Sequence, residues 1–546
     1  MNATIKNKYI NKYSGIIIFS FLAVLCVANT YFLDKNVSRH VSESLKVLLA
    51  AGALCLVMGW TSIPKRLAIV LLSVLIFLSA ANYMRWGPAL LTERVDSYDL
   101  IHYYLGAKYF NELGYYDLYP AIASVDAEAG PFDTRLISYR AQDPVTGYAE
   151  RPITEAIARG REVREERFSP ERWKLFEKDF LHLQRDFNLT RKLWAILIYD
   201  RGFNATPAWI ALFSPVANLF PVDYIKWLCS ADIIFMAIGL LFIRWAYGNV
   251  AALWALEFIF LSYSLRWPVV GWAFFRYDWV CALMVALALI KKKHYFWAGA
   301  MTAFASLFRL FPALWMFGPA TKGIINLINF KDFSLNWNRR LLLLAGGFLV
   351  IAVTVEGIAL IKFGADPIKA HTANIVEHIK PEELSSKRLG FAIGMFFDGK
   401  LLPKTFPDER KRKIKIYKNF HLFNAFIVLG ALAWFLRNRP DDEAFAYGFI
   451  PFFMLLTASY YYAVTRILLI VIHAAHIDKT RHRIALAFLV ALELFSHWAE
   501  ISFEEHRAFL IGYLAWGLTL YSVYIVWSLF EDEQEAKLAS RIGPAA

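Results

Sequence analysis

Apolar residues along this chain gather into runs of about 17–25 positions, joined by short charged links and by two long polar stretches. A run of that length crosses hydrocarbon as a helix, because the bilayer core offers no water and every backbone group must be bonded within its own segment. The pattern predicts spans at 14–33, 45–61 and 66–84, then at 223–246, 250–265 and 276–290. A longer apolar segment, 295–328, is interrupted by Arg309 and Pro312. Further spans are expected at 341–362, 419–437, 443–459, 460–475, 484–499 and 507–529. The fold class is therefore an all-α polytopic membrane protein, with about 13–14 transmembrane helices and large outer loops.

Basic residues near span ends set the orientation, since Lys and Arg hold cytoplasmic loops in place. Lys6, Lys8 and Lys12, Lys65 and Arg66, Lys291 to Lys293, Arg339 and Arg340, and the Lys479–Arg483 cluster all share one side if 295–328 is a broken hairpin that turns near Arg309. Both termini are then cytoplasmic, in an inner or plasma membrane, and the loops 85–203 and 363–418 lie outside. The short, proline-broken segment 205–222 reads as a re-entrant or interfacial helix at the outer surface. The first apolar run reads as a retained anchor, because no small-residue cleavage site follows it. The chain divides into N-terminal helices (1–84), a first outer loop with an acidic start and a polar helical insert (85–204), and a core with the re-entrant helix and broken hairpin (205–362). A second outer loop (363–418), C-terminal helices (419–530) and a cytoplasmic tail (531–546) follow.

Composition adds little to this frame but narrows the partners. A net charge of +13 in a chain with only 19% charged residues fits basic cytoplasmic loops and contact with anionic lipid phosphates better than nucleic-acid binding. Cys26, Cys55, Cys229 and Cys281 all fall in expected spans, which argues against a disulfide framework or a cysteine metal site. His371 and His378 are too far apart on a helix for a compact metal pair. No cofactor is evident, although a divalent cation remains compatible with the composition.

Chemistry concentrates at the start of the first outer loop, in Asp96-Ser97-Tyr98-Asp99 followed by His102, Tyr103 and Tyr104. On a helix Asp99, His102 and Tyr103 share one face, which could hold an acceptor hydroxyl and take its proton. Capping of the following helix by Asp96 or Asp99 explains the same acids equally well. Charges at membrane depth are costly and are usually functional or paired. Arg266, Arg276 and Asp278, flanked by Trp267, Trp272, Phe274 and Phe275, fit either a site or a structural arrangement. Arg309, inside an apolar segment, reads as a phosphate ligand or as the counter-ion of an acid in the same cavity.

Asp99 followed by Tyr103 and Ala107, then Gly114-Tyr115-Tyr116-Asp117-Leu118-Tyr119-Pro120, resembles the start of the first outer loop in the GT-C glycosyltransferase superfamily. Pro207-Ala208-Trp209 through Pro215 is similar to the outer helix that closes that loop, and Gly299 to Pro312 resembles the family's small-residue helix ending in a basic residue. The resemblance covers residues 66–122 and 204–320 and is nearest the polyprenol-phosphate-mannose-dependent mannosyltransferases and related arabinofuranosyltransferases. It implies a GT-C-like bundle that transfers a sugar from a polyprenyl-phosphate donor to a glycan or glycolipid acceptor, with inversion. Asp99, or its neighbour Asp96, would be the base, with His102 beside it. Arg309, Arg266, Arg276, Lys387 and Arg388 become candidate phosphate ligands, and Tyr103, Trp272, Asp278 and His371 candidate acceptor or sugar contacts. Tyr460-Tyr461-Tyr462 fits an aromatic interfacial belt, and the sequons at Asn188 and Asn204 face outside in this topology. The competing class is a secondary transporter or lipid flippase, which also uses broken helices and intramembrane charges.

Overall fold

The computed structural model describes residues 39–84, 96–131, 138–143, 147–187, 189–200, 202–265, 273–328, 335–378, 388–397, 407–503 and 507–542. Helices dominate, and among the described residues the only sheets are two small antiparallel pairs. The protein is an all-α polytopic membrane protein. Seven described helices are long and apolar enough to cross a membrane: Val41–Gly59, Lys65–Tyr83, Val222–Tyr247, Arg339–Phe363, Lys415–Leu436, Thr480–Ser502 and Leu510–Leu538. The expected span 14–33 lies outside the described residues. Helix Asp278–Lys291 is only 14 residues long and buried along almost its whole length, so it forms the centre of the bundle, as a helix apolar all round must. Helix Leu335–Phe363 turns Leu342, Leu349, Val353 and Ile361 outward, the surface a lipid-facing helix presents.

The segment 295–328 is a broken hairpin. Helix Tyr295–Arg309 ends at Leu310, a tight turn Phe311–Met316 follows, and helix Phe317–Ile328 returns. Its two ends meet: the Tyr295 hydroxyl donates to Asp441 at 2.7 Å, and Lys322 pairs with the same carboxylate. The neighbouring acids complete a hub. Asp442 binds Lys291 at 3.1 Å and the Tyr247 hydroxyl at 2.9 Å, and Glu443 binds Arg481 at 3.1 Å. Basic residues from three of the clusters that set the orientation (Lys291, Arg340 and Arg481) thus lie on one face around Asp441–Glu443.

Two expected spans are subdivided in the structure. Residues 443–459 and 460–475 form helices Asp441–Ala446, Phe449–Leu455 and Ile467–Ala475, with an extended stretch and a 3-10 turn Tyr460–Arg466 between the last two. Pro451, in the first turn of helix Phe449–Leu455, has no N–H to donate back to the preceding turn and so separates this helix from Asp441–Ala446. Gly448 packs so tightly that a Cβ there would lie 2.4 Å from the Trp315 Cα. Most apolar residues of these two segments are buried among other helices.

Close backbone approach locks helix Tyr295–Arg309 against helix Leu335–Phe363. A Cβ on Gly299 would lie 1.8 Å from the Leu344 carbonyl, and one on Gly347 would lie 1.9 Å from the Phe296 carbonyl. Such contacts are how small residues let membrane helices pack. Gly347→Leu is expected to force this crossing apart and to lower the recovery of monodisperse detergent-extracted protein severalfold. Recovery equal to wild type, measured by size exclusion, would contradict the packing described.

The polar insert is built from helices Leu118–Ala129, Ile153–Arg167 and Pro170–Asp186 and a hairpin pairing Ser138–Asp143 with Gly147–Pro152. The hairpin departs from the expected all-helical insert. Ser169 caps the third helix, its hydroxyl accepting from the Arg172 amide, and Pro170 stands in the first turn. The charge run Arg159–Arg167 is taken up internally: Arg159 and Arg167 both bind Asp117, and Arg161 and Arg164 both bind Glu128. The insert is pinned to the start of the loop by the fully buried Lys108–Asp179 pair at 2.7 Å, with the Tyr109 hydroxyl donating to the same carboxylate. This fixes the segment carrying Asp99 and Tyr103.

Candidate functional site

The site begins at Asp96, which caps the turn Ser97–Leu100 by accepting a hydrogen bond from the Asp99 amide at 3.3 Å. The capping reading therefore holds for Asp96, and its second oxygen does more. The chain continues through a π-helical turn, Ile101–Leu105. That wider turn keeps the residue four positions on from Asp99 over it, but swings the residue three positions on away. Tyr103 accordingly shares a recess with Asp99. His102 does not: its Nδ1–H donates to the Tyr98 carbonyl at 2.8 Å, and its Nε2 accepts from the Tyr119 hydroxyl at 2.9 Å. It is a satisfied core histidine, bracing the aromatic cluster behind the site.

Two arginines from distant parts of the chain reach the same place. Arg276 grips Asp99 with both arms of its fork, Nε to Oδ2 at 3.1 Å and Nη2 to Oδ1 at 2.9 Å, and its Nη2 also meets Asp96 at 2.9 Å. This planar two-bond geometry is the strong form of an arginine–carboxylate contact. Burial pushes the Asp96 carboxyl above the usual range, while Arg276 pulls against that rise. Arg309 ends helix Tyr295–Arg309, donates to the Tyr103 hydroxyl at 3.0 Å and lies 4.9 Å from the centre of that ring. Among the described residues its buried Nε has no hydrogen-bond partner, and no carboxylate pairs with it. Burial raises the Tyr103 hydroxyl above the ordinary tyrosine range, so Tyr103 is neutral here.

Backbone strain marks both arginines. Phe275, just before Arg276, has φ +52°, and Leu310, just after Arg309, has φ +53°. Bulky residues avoid positive φ, and strain of this kind gathers where a side chain must be aimed.

Asp99, Tyr103, Arg276 and Arg309 line one recess together with Tyr277, Trp279, Tyr461, Tyr462 and Val464. The atom-free space it encloses, counting its open mouth, is about 300 Å³. Tyr461, Tyr462 and Val464 come from the 3-10 turn Tyr460–Arg466, which is held from behind by a fully buried ion pair. Arg466 meets Glu493 at 2.8 Å and donates to the Ser264 hydroxyl at 3.0 Å, while the Tyr263 amide donates to Glu493 at 2.7 Å. The sequence placed the tyrosines in an interfacial belt. No local signal separates a belt tyrosine from a wall tyrosine, although Arg466 in an apolar run was a clue to an anchored turn.

The remaining candidates fall around this centre. Asp278 sits one layer back, accepting from the Trp209 indole at 3.1 Å and from the Trp279 amide, and the Trp209 ring packs edge-on to Tyr103. Arg388 lies in a short strand paired with Ala458–Ser459, beside the turn that carries the tyrosines. Arg266, Trp272 and Lys387 lie outside the described residues, as does the Asn188 sequon. At the other sequon Thr206 is buried, caps helix Pro207–Leu219 and donates to the Leu307 carbonyl, while Asn204 is half-buried. Among the described residues no group of three or more His, Cys, Asp or Glu is placed to hold a metal ion.

His371, on helix Asp366–His378 outside the spanning helices, is not part of the recess. It is buried against Tyr115 and bonds to the backbone of Asn204. Burial pushes its imidazole down from the usual 6.5 to about 4. The unfolded chain therefore takes this proton first, and the stability tied to a neutral ring is present above pH 6.5 and is lost as the pH falls towards 4. Thermal scans of His371→Gln should show a smaller drop in Tm between pH 7 and pH 4 than wild type; equal drops would contradict this assignment.

Comparison of the chain with protein-family models, with curated proteins and with solved structures finds no match in any of the three.

Proposed function

We propose that the protein is a membrane glycosyltransferase of the GT-C type, which moves a sugar from a polyprenyl-phosphate donor to an acceptor hydroxyl at the outer face of the membrane. The observation that carries this reading is the meeting of Asp99 and Arg309, from distant parts of the chain, in one aromatic-walled recess. A carboxylate and a cation that has no carboxylate partner among the described residues are the two charges that such a transfer requires.

In the proposed step the acceptor oxygen attacks the anomeric carbon from the side opposite the phosphate. A new carbon–oxygen bond forms, the bond from the anomeric carbon to the phosphate oxygen breaks with its electron pair, and Asp99 takes the hydroxyl proton. Arg309 sits where the negative charge grows on the departing phosphate, and it is worth most in a partly dry site. Tyr103, Trp279, Tyr461 and Tyr462 offer rings on which a sugar face can lie. The recess is small, so a whole sugar enters only if this aromatic wall moves. The envisaged partners are the lipid-linked donor, a glycan or glycolipid acceptor and membrane lipids, with no nucleic acid. The test is reconstitution in vesicles with polyprenyl-phosphate sugars: a lipid-dependent glycan product supports the reading. Solute uptake with no glycan product would favour a transporter instead.

A further inference from the structure

Arg276 is committed to two acids that the proposed chemistry needs to use or at least to leave free. Its fork engages both oxygens of Asp99, and the same Nη2 reaches Asp96. A carboxylate whose oxygens both accept from a guanidinium is a poor base, because the proton it should take competes with a cation. The second acid has a geometric consequence. With both acids ionised, Asp96 and Asp99 outweigh the single charge of Arg276, and this corner of the recess then opposes an incoming anion. Asp96 does not line the recess, whereas Asp99 and Arg276 both do.

We propose that Arg276 is an exchange residue, which holds Asp99 through the Asp96–Arg276–Asp99 bridge while the recess is empty and transfers its fork to the lipid phosphate once an anion occupies it. The inference rests on the reading of the recess as a phosphate site and adds a regulation to it. The anion itself unmasks the base, so donor must bind before acceptor is activated, and Asp96 is a positioning residue that sets how tightly Arg276 is retained. The bridge and Arg309 then act in opposition. Arg309 is available to the anion from the outset, and Arg276 is recruited from its acids.

Binding, not turnover, separates the possibilities. Farnesyl phosphate binding to the full-length protein in nanodiscs would be measured for wild type, Asp96→Asn, Arg276→Gln, the double variant and Arg309→Ala. Asparagine keeps the cap on the Asp99 amide, and a monodisperse elution profile confirms folding. Asp96→Asn is expected to tighten binding about five- to tenfold, because it removes a charge a few ångströms from the fork, and the gain should vanish in the double variant. Unchanged or weaker binding by Asp96→Asn, while Arg309→Ala still weakens it, overturns the exchange but leaves the phosphate site standing. If Arg309→Ala also binds like wild type, the phosphate reading itself fails and the exchange falls with it. An inorganic phosphate arm that shows the same gain supports the exchange while assigning the anion to a soluble phosphate.

Discussion

Asp99→Asn is expected to lower sugar transfer by about 10²- to 10⁴-fold, the range a positioned general base contributes, with no loss of donor binding. The substitution is nearly isosteric and leaves one oxygen to accept from Arg276, so one arm of the fork is kept, and the turn capped by Asp96 through the Asp99 amide survives. What it removes is the capacity to take a proton. The paired Asp96→Asn variant should retain a larger fraction of transfer, because Asp96 does not line the recess. Initial rates with saturating donor, read beside donor binding, check both. Transfer by Asp99→Asn at the wild-type rate would remove Asp99 from the chemistry.

Arg309→Ala is expected to have the second large effect, on the lipid phosphate. Hydrogen bonds to charged groups contribute about 1.5–3 kcal/mol, which corresponds to roughly ten- to a hundredfold in the affinity for a polyprenyl phosphate. Arg309→Lys should recover only part of it, since an ammonium keeps the charge and loses the planar fork. The alanine variant also strips Tyr103 of its partner, so binding should be measured against Tyr103→Phe as well. Loss in Arg309→Ala with little loss in Tyr103→Phe places the effect on the cation. Wild-type affinity in Arg309→Ala would remove it from the site.

The residues of the recess that were legible in the sequence share one property: each is a charge, or lies one helical turn from a charge, in a setting that makes charge costly. Arg309 inside an apolar run and Asp99 at the lip of a span stand out for that reason, and Pro312 beside Arg309 marked the break that became the hairpin. Two kinds of feature were not legible. Geometry was one: a regular helix puts His102 beside Asp99, and only the π-helical turn Ile101–Leu105 sends it to Tyr119 instead. Tertiary partnership was the other. Nothing local to Arg276 says that its carboxylates come from a loop 177 and 180 residues away, and the acid nearest to it in sequence, Asp278, binds Trp209 and the Trp279 amide instead. The fold divides in the same way. Long lipid-facing helices announce themselves by length, whereas short buried pieces such as Phe449–Leu455 have the same composition as a span and differ only in what surrounds them. The hairpin Ser138–Pro152 was hidden because both of its strands are polar and its pairing is set by contacts within the insert.

The most direct measurement is a cryo-EM map of the protein with a hydrolysis-resistant polyprenyl-phosphonate sugar bound. The account predicts the phosphonate within hydrogen-bond reach of Arg309, about 3 Å, with the Asp99 carboxylate facing the anomeric carbon from the opposite side and the aromatic turn Tyr460–Arg466 displaced to admit the sugar. Density for the phosphonate elsewhere, with Arg309 still resting on Tyr103 and the recess closed, would contradict it.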